Sequence, residues 1–456
     1  MADKLQPVRG THDILPDEFE KFHAVVTRAR ELAALYGFRE MATPIFEATE
    51  VFKRSMGDTS DVVSKEMFNF ATKGGEDVCL RPEFTAGIAR AFISNGMQQH
   101  LPLKLFSTGP LFRYERPQKG RQRQFHQVNF EWLGDDSAEA DVEIILLAGQ
   151  LLTELAGKQS CKLLLNTLGD TESRTQYRQA LIDYLTPFAH ELSADSQRRL
   201  ISNPLRILDS KDTSDRKLLE AAPIISDYLS NKAKKRFDAV CNSLMKQEIA
   251  FFQVEVAPSL VRGLDYYTDI VFEFIANTGE LGAQNTVLAG GRYDGLIEQM
   301  GGKPTPAIGF AAGLERLILL MKAPDDSSWE KTKDIHIVVL PFEDASIHSS
   351  AVQLITTRIR LALREILEIK STKQQGIVEI LWDGKLSKRL DKAAHRGATH
   401  ALIISPEELA RSMCILRNME TREQQEVHIL DIVNIGNIEK FAQLLNISLP
   451  RRLKQS

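Results

Sequence analysis

The chain has 456 residues, 43% apolar and 26% charged, which predicts about two to four globular domains and excludes a mainly disordered or fibrous protein. Its 57 Lys and Arg against 61 Asp and Glu give a net charge of -4, excluding a protein that coats nucleic acid by overall charge and confining any such contact to local patches. Cys79, Cys161, Cys241 and Cys414 lie far apart, without the paired spacing of a zinc site or a disulfide framework, and point to a reducing, cytoplasmic location. The first 18 residues carry no apolar export core, and IILLAGQLL at 144–152 is too short to span a bilayer, so no membrane association is expected.

In chain order, Phe19, Phe22, Val26, Ala29, Ala33 and Tyr36 share one helical face ahead of Gly37, predicting an amphipathic helix. A second helix is expected over 136–157, opened by a capping box of Asp136 and Glu139. Between them, period-two alternation predicts strands over 104–115 and 126–133, an antiparallel pair. Their connection, RPQKGRQRQ, is too polar and basic for a tight hairpin turn and is a functional-loop candidate. Residues 161–250 favour helix, with basic clusters such as KAKKR at 232–236, and suggest an inserted helical domain. Strand patterns return in FFQVEVAP, RGLDYYTDIVFEF and TVLAGG, followed by PAIGFAAGLERLILLMK, a strand running into a buried helix.

The polar stretch 323–334 precedes IHIVVLP, IVEILWD, HALIIS and EVHILDI, where strands and helices alternate and predict a separate C-terminal α/β domain. With 18 Lys and Arg against 15 Asp and Glu, residues 333–456 carry +3 and the remainder -7, a weak pointer to a nucleic-acid partner. The expected division is 1–162 and 251–324 for a core in two parts, 163–250 for the helical insertion and 333–456 for the last domain.

In the expected pair, Arg113 and Glu115 share a face, as do Gln127, Asn129 and Glu131, while Val128, Phe130 and Trp132 line an apolar one. A half-exposed sheet would look the same. Arg113, Arg116, Lys119, Arg121 and Arg123 crowd around the single acid Glu115. Guanidinium forks suit phosphate oxygens, and Phe125 suits the face of a base; a solvated charge run is the alternative.

FRYERPQKGRQRQFHQVNFE resembles the second signature of class II aminoacyl-tRNA synthetases in the form found in the histidyl-tRNA synthetase family. PVRGTHDILPDE, YGFREMATPIFE with Pro44, FKRSMGDTSDVVSKEMFNF, LRPEFTAGIAR, RGLDYYTDIVFEF, AGGRYDGLIEQMGG and GFAAGLERL with Arg316 are similar to that family in order and spacing. The resemblance implies an α+β fold: a class II synthetase antiparallel sheet flanked by helices, with the helical insertion near the acceptor stem and a C-terminal α/β anticodon-binding domain. It implies a homodimer that activates histidine with ATP and Mg2+ and charges histidine tRNA.

By the same resemblance, Arg113 holds the α-phosphate and substrate carboxylate, Glu115 the adenine amino group, Phe125 the adenine face, and Arg121 with Arg316 the distal phosphates. Arg262 is the catalytic arginine at the α-phosphate, with a structural salt bridge at a strand start as the ordinary alternative. Glu131 and Tyr267 face the imidazole. Glu83, Thr85 and Gln127 surround the amino and carboxylate end, with Tyr266 beside them. For these, packing tyrosines in a strand and a capping glutamate are the bland readings. Gly290 and Gly291 let backbone approach a ligand or mark a bend.

Phe84, expected with Glu83 and Thr85 among the histidine-binding residues at the edge of the pocket, stands where the common family pattern RPEGT has glycine, resembling a minority bacterial branch in which recognition of the tRNA acceptor end departs from dependence on an extra 5′ guanosine. Gln118, Gln122 and Gln124 are where that difference would reside. Two rivals are weighed: a synthetase-like regulatory subunit of histidine biosynthesis, which usually lacks the C-terminal domain, and a synthetase for another amino acid, disfavoured by RGLDYY and AGGRYD.

Overall fold

Phe22, Val25, Ala29, Leu32 and Ala33, at helical spacing, form the buried stripe of the first helix in the computed structural model. The structure describes residues 5–57, 60, 62–118, 120–245, 252–262, 264–277, 285–321, 334–342, 349–370, 376–382, 384–433 and 438–449. Lys119 and all but Asp334 of the polar stretch 323–334 lie outside them.

In chain order the first part comprises α1 (Pro16–Leu35), β1 (Arg39–Glu40), β2 (Phe46–Ala48), α2 (Thr49–Met56), β3 (Phe68–Ala71), β4 (Asp77–Leu80), α3 (Thr85–Ser94), β5 (Leu103–Phe112), β6 (Gln124–Leu133) and α4 (Ala138–Ala156). Next come β7 (Cys161–Thr167), α5 (Thr171–Leu185), α6 (Ala194–Ser202), α7 (Thr213–Leu219), α8 (Asn231–Met245) and β8 (Gln253–Val256). The series closes with β9 (Thr268–Ala276), β10 (Thr286–Arg292), α9 (Leu296–Gln299), β11 (Ala307–Gly313) and α10 (Leu314–Leu320).

Among the described residues, eight strands form one sheet in the order β1-β5-β6-β11-β10-β9-β7-β8. It is antiparallel except for the parallel edge pairs β1 with β5 and β7 with β8. One face packs Val128, Phe130 and Trp132 with Phe272, Phe274 and Phe310 against α1, α4 and α8, as their alternation in sequence requires. The opposite face carries the candidate site. A smaller sheet, β2-β4-β3, stands beside it.

Several expectations shift. Cys161–Thr167, assigned above to a helical run, pairs with β9 and β8 as a strand, so the helices begin at Thr171. Val240 and Leu244 of α8 join the main core. The helix expected from Asp136 is capped by Ser137, whose hydroxyl accepts the Ala140 amide, while Asp136 pairs with Arg236 at 2.8 Å. β5 stops at Phe112 because Tyr114 N turns to Glu66 O, so Arg113 and Glu115 lie in the loop rather than on a strand face. That loop does close in a tight turn: Gln118 and Arg121 exchange both backbone hydrogen bonds at 3.0 and 2.9 Å, with Gly120 at φ +72°.

Residues 1–323 cluster as one unit and 324–456 as another. The second contains β12 (Ile335–Pro341), α11 (Ser349–Lys370), β13 (Gly376–Ile380), α12 (Leu386–His395), β14 (His400–Ile404), α13 (Pro406–Ala410), β15 (Met413–Asn418), β16 (Gln424–His428), α14 (Ile429–Val433) and α15 (Ile438–Leu444). Its sheet order is β13-β12-β14-β15-β16, the first three strands parallel and the last two antiparallel to their neighbours. β15 had no counterpart in the sequence reading, and the expected strand EVHILDI becomes the end of β16 followed by α14.

Candidate active site

Glu83 precedes α3 and accepts the amides of Thr85 at 2.6 Å and Ala86 at 2.7 Å, so it caps the helix. From the first turn of α3, Thr85 Oγ1 donates to Glu131 Oε1 at 2.5 Å. Asn129 Nδ2 donates to the same oxygen at 3.0 Å, and the Tyr293 hydroxyl donates to Oε2. Glu131 is 1% exposed. Burial pushes its carboxyl up to about 7, against the lowering effect of hydrogen bonds from Thr85, Tyr293 and Asn129. Burial likewise raises Glu83, opposed by the two capping amides and by Arg113.

Glycines make room for these groups. Gly309 pairs with Glu131 across β11 and β6, and a Cβ there would lie 1.8 Å from Glu131 Oε2. A Cβ at Gly291 would meet Ile270 O at 2.6 Å and Tyr267 Cδ1 at 2.9 Å. Gly290 and Gly291 sit inside β10, paired on both sides, with a shift of register against β9 just after Gly291; they also accommodate neighbouring strands and rings.

Tyr266 and Tyr267 occupy a turn before β9, not the strand expected from RGLDYYTDIVFEF. Both are buried, their rings 4.8 Å apart, and Tyr266 lies 5.7 Å from the Tyr293 ring. Arg262 opens this turn and forms an ion pair with Glu273 of β9, while Thr286 donates to the other carboxylate oxygen at 2.9 Å. The salt bridge weighed from sequence is thus present, ahead of the strand rather than at its first residue.

Arg113 Nε donates to Pro82 O at 3.0 Å and its guanidinium lies 5.5 Å from the Phe125 ring. Arg121 pairs with Glu115 at 2.8 Å. Arg316, on α10, donates to Thr286 O at 2.6 Å and Gly120 O at 3.3 Å. Its pKa is lowered by burial and then by Arg121, with Glu115 opposing and Arg113 adding, so the three cations share one field. Arg116 is exposed and Gln127 half-buried. The loop is strapped by the N-terminal segment: Arg123 N donates to Gly10 O at 2.7 Å and Arg123 Nη1 to Arg9 O at 3.3 Å. Gly10 has φ +87°, and a Cβ would meet Arg123 Cγ at 2.7 Å.

Phe84 is 1% exposed and packs in the core beneath the site, its ring 4.5 Å from the Arg81 guanidinium. Tyr293, Asn129 and Gly309 were not chosen from sequence. The face shared by Gln127, Asn129 and Glu131 pointed to Asn129, and Tyr293 stood within AGGRYD.

Residues 10–317 match the family described as "Histidyl-tRNA synthetase". The chain belongs to the histidyl-tRNA synthetase family. A "Histidine--tRNA ligase" from Gluconobacter oxydans is 46% identical over 94% of this chain and 98% of its own. One from Rickettsia akari is 46% identical over 96% and 100%. Among solved structures, apo histidyl-tRNA synthetase from S. aureus superposes with a TM-score of 0.70 at 28% identity, covering 94% of this chain and 99% of that one. This family membership agrees with the α+β architecture and the C-terminal α/β unit described above.

Proposed function

We propose that the protein is a histidine–tRNA ligase, forming histidyl-adenylate from histidine and ATP and passing the histidyl group to histidine tRNA. The observation that carries this reading is the buried Glu131, fixed by Thr85, Asn129 and Tyr293 near the buried Tyr266 and Tyr267. A carboxyl so placed keeps acceptor capacity for an imidazole N–H beyond its three protein donors, and a side chain lacking that N–H would leave the capacity unused and bind less well.

In the first step a histidine carboxylate oxygen attacks the α-phosphorus as the bond to pyrophosphate breaks; in the second, a hydroxyl of the tRNA's terminal ribose attacks the acyl carbon and AMP leaves. Positioning and positive charge supply the catalysis. Arg113 and Arg262 are assigned to the α-phosphate, Arg121 and Arg316 to the distal phosphates, Glu115 and Phe125 to adenine. Glu131 and Tyr267 meet the imidazole; Glu83, Thr85, Gln127 and Tyr266 surround the amino and carboxylate end, with Phe84 supporting them from below. Arg262 Nε and Asn129 Oδ1 are buried without a hydrogen-bond partner, and bound substrate would satisfy them. Magnesium enters this proposal with the ATP phosphates that it bridges.

The C-terminal α/β unit is assigned to the anticodon and the helical segment to the acceptor stem. A homodimer through the segment around Pro44, where Ile45 and Phe46 are 45% and 58% exposed, completes the reading, with a cytoplasmic location suited to four free cysteines. Histidine-dependent exchange of labelled pyrophosphate into ATP, followed by charging of histidine tRNA, tests it. Histidine binding by the folded protein without exchange would favour a regulatory protein.

A further inference from the structure

Two carboxylates bracket the Tyr266–Tyr267 turn, Asp265 on one side and Asp269 on the other, and each meets an arginine from the helical segment between β7 and β8. Arg206, in the 3-10 turn Pro204–Asp209, places Nε 3.7 Å from Asp265 Oδ1, the two side chains being 12% and 23% exposed. Arg236, on α8, places Nε 3.4 Å from Asp269 Oδ2, at 9% and 12% exposure. Arg236 is itself anchored by Asp141 at 2.9 Å and Asp136 at 2.8 Å.

The backbone between these tethers is under constraint. Asp269 holds φ +47°, a left-handed conformation uncommon outside glycine that the surrounding contacts fix here. Leu168 N donates to Asp269 O at 2.6 Å, Asp269 N to Gly169 O at 3.1 Å, and Thr167 Oγ1 to its carboxylate at 3.1 Å. Thr268 Oγ1 accepts the Asp294 amide at 3.2 Å, linking the turn to the residue after Tyr293.

We propose that the helical segment clamps the histidine pocket, with Arg206 as a positioning residue that holds the Tyr266–Tyr267 turn through Asp265. The proposal rests on the reading of that pocket as the histidine site. Arg206 meets Asp265, next to the two tyrosines, so its loss acts on how well the turn is held. Its signature is selective: histidine recognition weakens while ATP recognition does not. A merely structural role would lower stability and affect both substrates together.

The experiment measures histidine binding by calorimetry and the KM values for histidine and ATP in pyrophosphate exchange, in the full chain and its Arg206→Gln and Arg206→Lys variants. Arg206→Gln should raise the histidine Kd and KM about tenfold, the scale of one lost charged contact, with ATP KM and melting temperature unchanged. Arg206→Lys, which keeps the charge, should recover most of the loss. Equal changes for both substrates, or none, overturn the clamp. If Arg206→Gln does not fold, Asp265→Asn carries the same expectation, and an unchanged histidine KM in that variant overturns the clamp equally. Absence of histidine binding in the unsubstituted protein overturns the reading of the pocket and the clamp with it; histidine binding that both variants leave intact overturns the clamp alone.

Discussion

The Tyr293 hydroxyl donates to one oxygen of the Glu131 carboxylate while Thr85 donates to the other, so the residue after β10 and the first residue of α3 are joined through a single acid on β6. Removing one donor leaves that acid buried and less well satisfied. Tyr293→Phe should therefore raise the histidine KM about 10- to 100-fold, equivalent to roughly 1.4–2.8 kcal/mol, while the ATP KM stays within about twofold. An unchanged histidine KM in pyrophosphate exchange would show that the hydroxyl serves packing alone.

The elevated Glu131 carboxyl makes stability depend on pH. Its usual value of 4.5 rises to about 7 in the fold, so between those values the folded state keeps a proton that the unfolded chain has released. Stability from this group is complete below about pH 4.5 and is lost as pH rises through about 7, by up to about 3 kcal/mol. Glu131→Gln cannot ionise, and should gain on the parent protein in melts run at about pH 8 compared with about pH 5. A stability difference that is the same at both values refutes the coupling.

Much of this arrangement was legible because period-two alternation survives in β6: Val128, Phe130 and Trp132 had to enter a core, which left Asn129 and Glu131 on the other face. β7 was not legible. LLLNT follows a long helix and precedes a run of helix formers, and a short apolar segment fits either structure until its partner strands are known. The ion pairs were also hidden, since Arg236 sits in a basic cluster that local sequence treats as solvated, yet it is 9% exposed against Asp141. Tertiary pairing decides such cases, and no window of sequence contains both partners.

Arg262 faces two demands, an ion pair with Glu273 and an assigned place at the α-phosphate. Arg262→Ala should lower exchange at least about 100-fold, the scale of one removed electrostatic stabiliser. Glu273→Gln, which keeps the arginine and a similar side-chain shape, should lower the melting temperature without a comparable loss of rate. If both substitutions reduce exchange only in step with stability, the salt bridge is the whole role of Arg262.

Gly309 has no space for a methyl group, because Glu131 Oε2 and Phe130 O would lie 1.8 and 2.5 Å from a Cβ. Backbone on one side cannot yield, so the acid must swing out of its hydrogen bonds. Gly309→Ala is expected to abolish detectable histidine binding by calorimetry and to destabilise the fold by about 1–3 kcal/mol, the usual range for overpacking. Retained binding at parental affinity would show that the strand can shift to accept the methyl.

Phe84 fills the core beneath α3, and truncating it leaves a void that the surrounding rings cannot close. Phe84→Ala should cost about 3–5 kcal/mol, visible as a lowered midpoint in urea unfolding. A loss below about 1 kcal/mol would mean that Arg81 and its neighbours collapse into the space.

The strap formed by Arg9 and Gly10 carries no assigned contact with substrate, yet it supplies the carbonyl that receives the Arg123 amide next to the Glu115–Arg121 loop. Residues 9 and 10 are therefore part of the architecture around the proposed nucleotide site. For anyone preparing this protein, trimming these residues or fusing a tag close to them alters the surroundings of that loop. Two preparations that differ only there are different reagents.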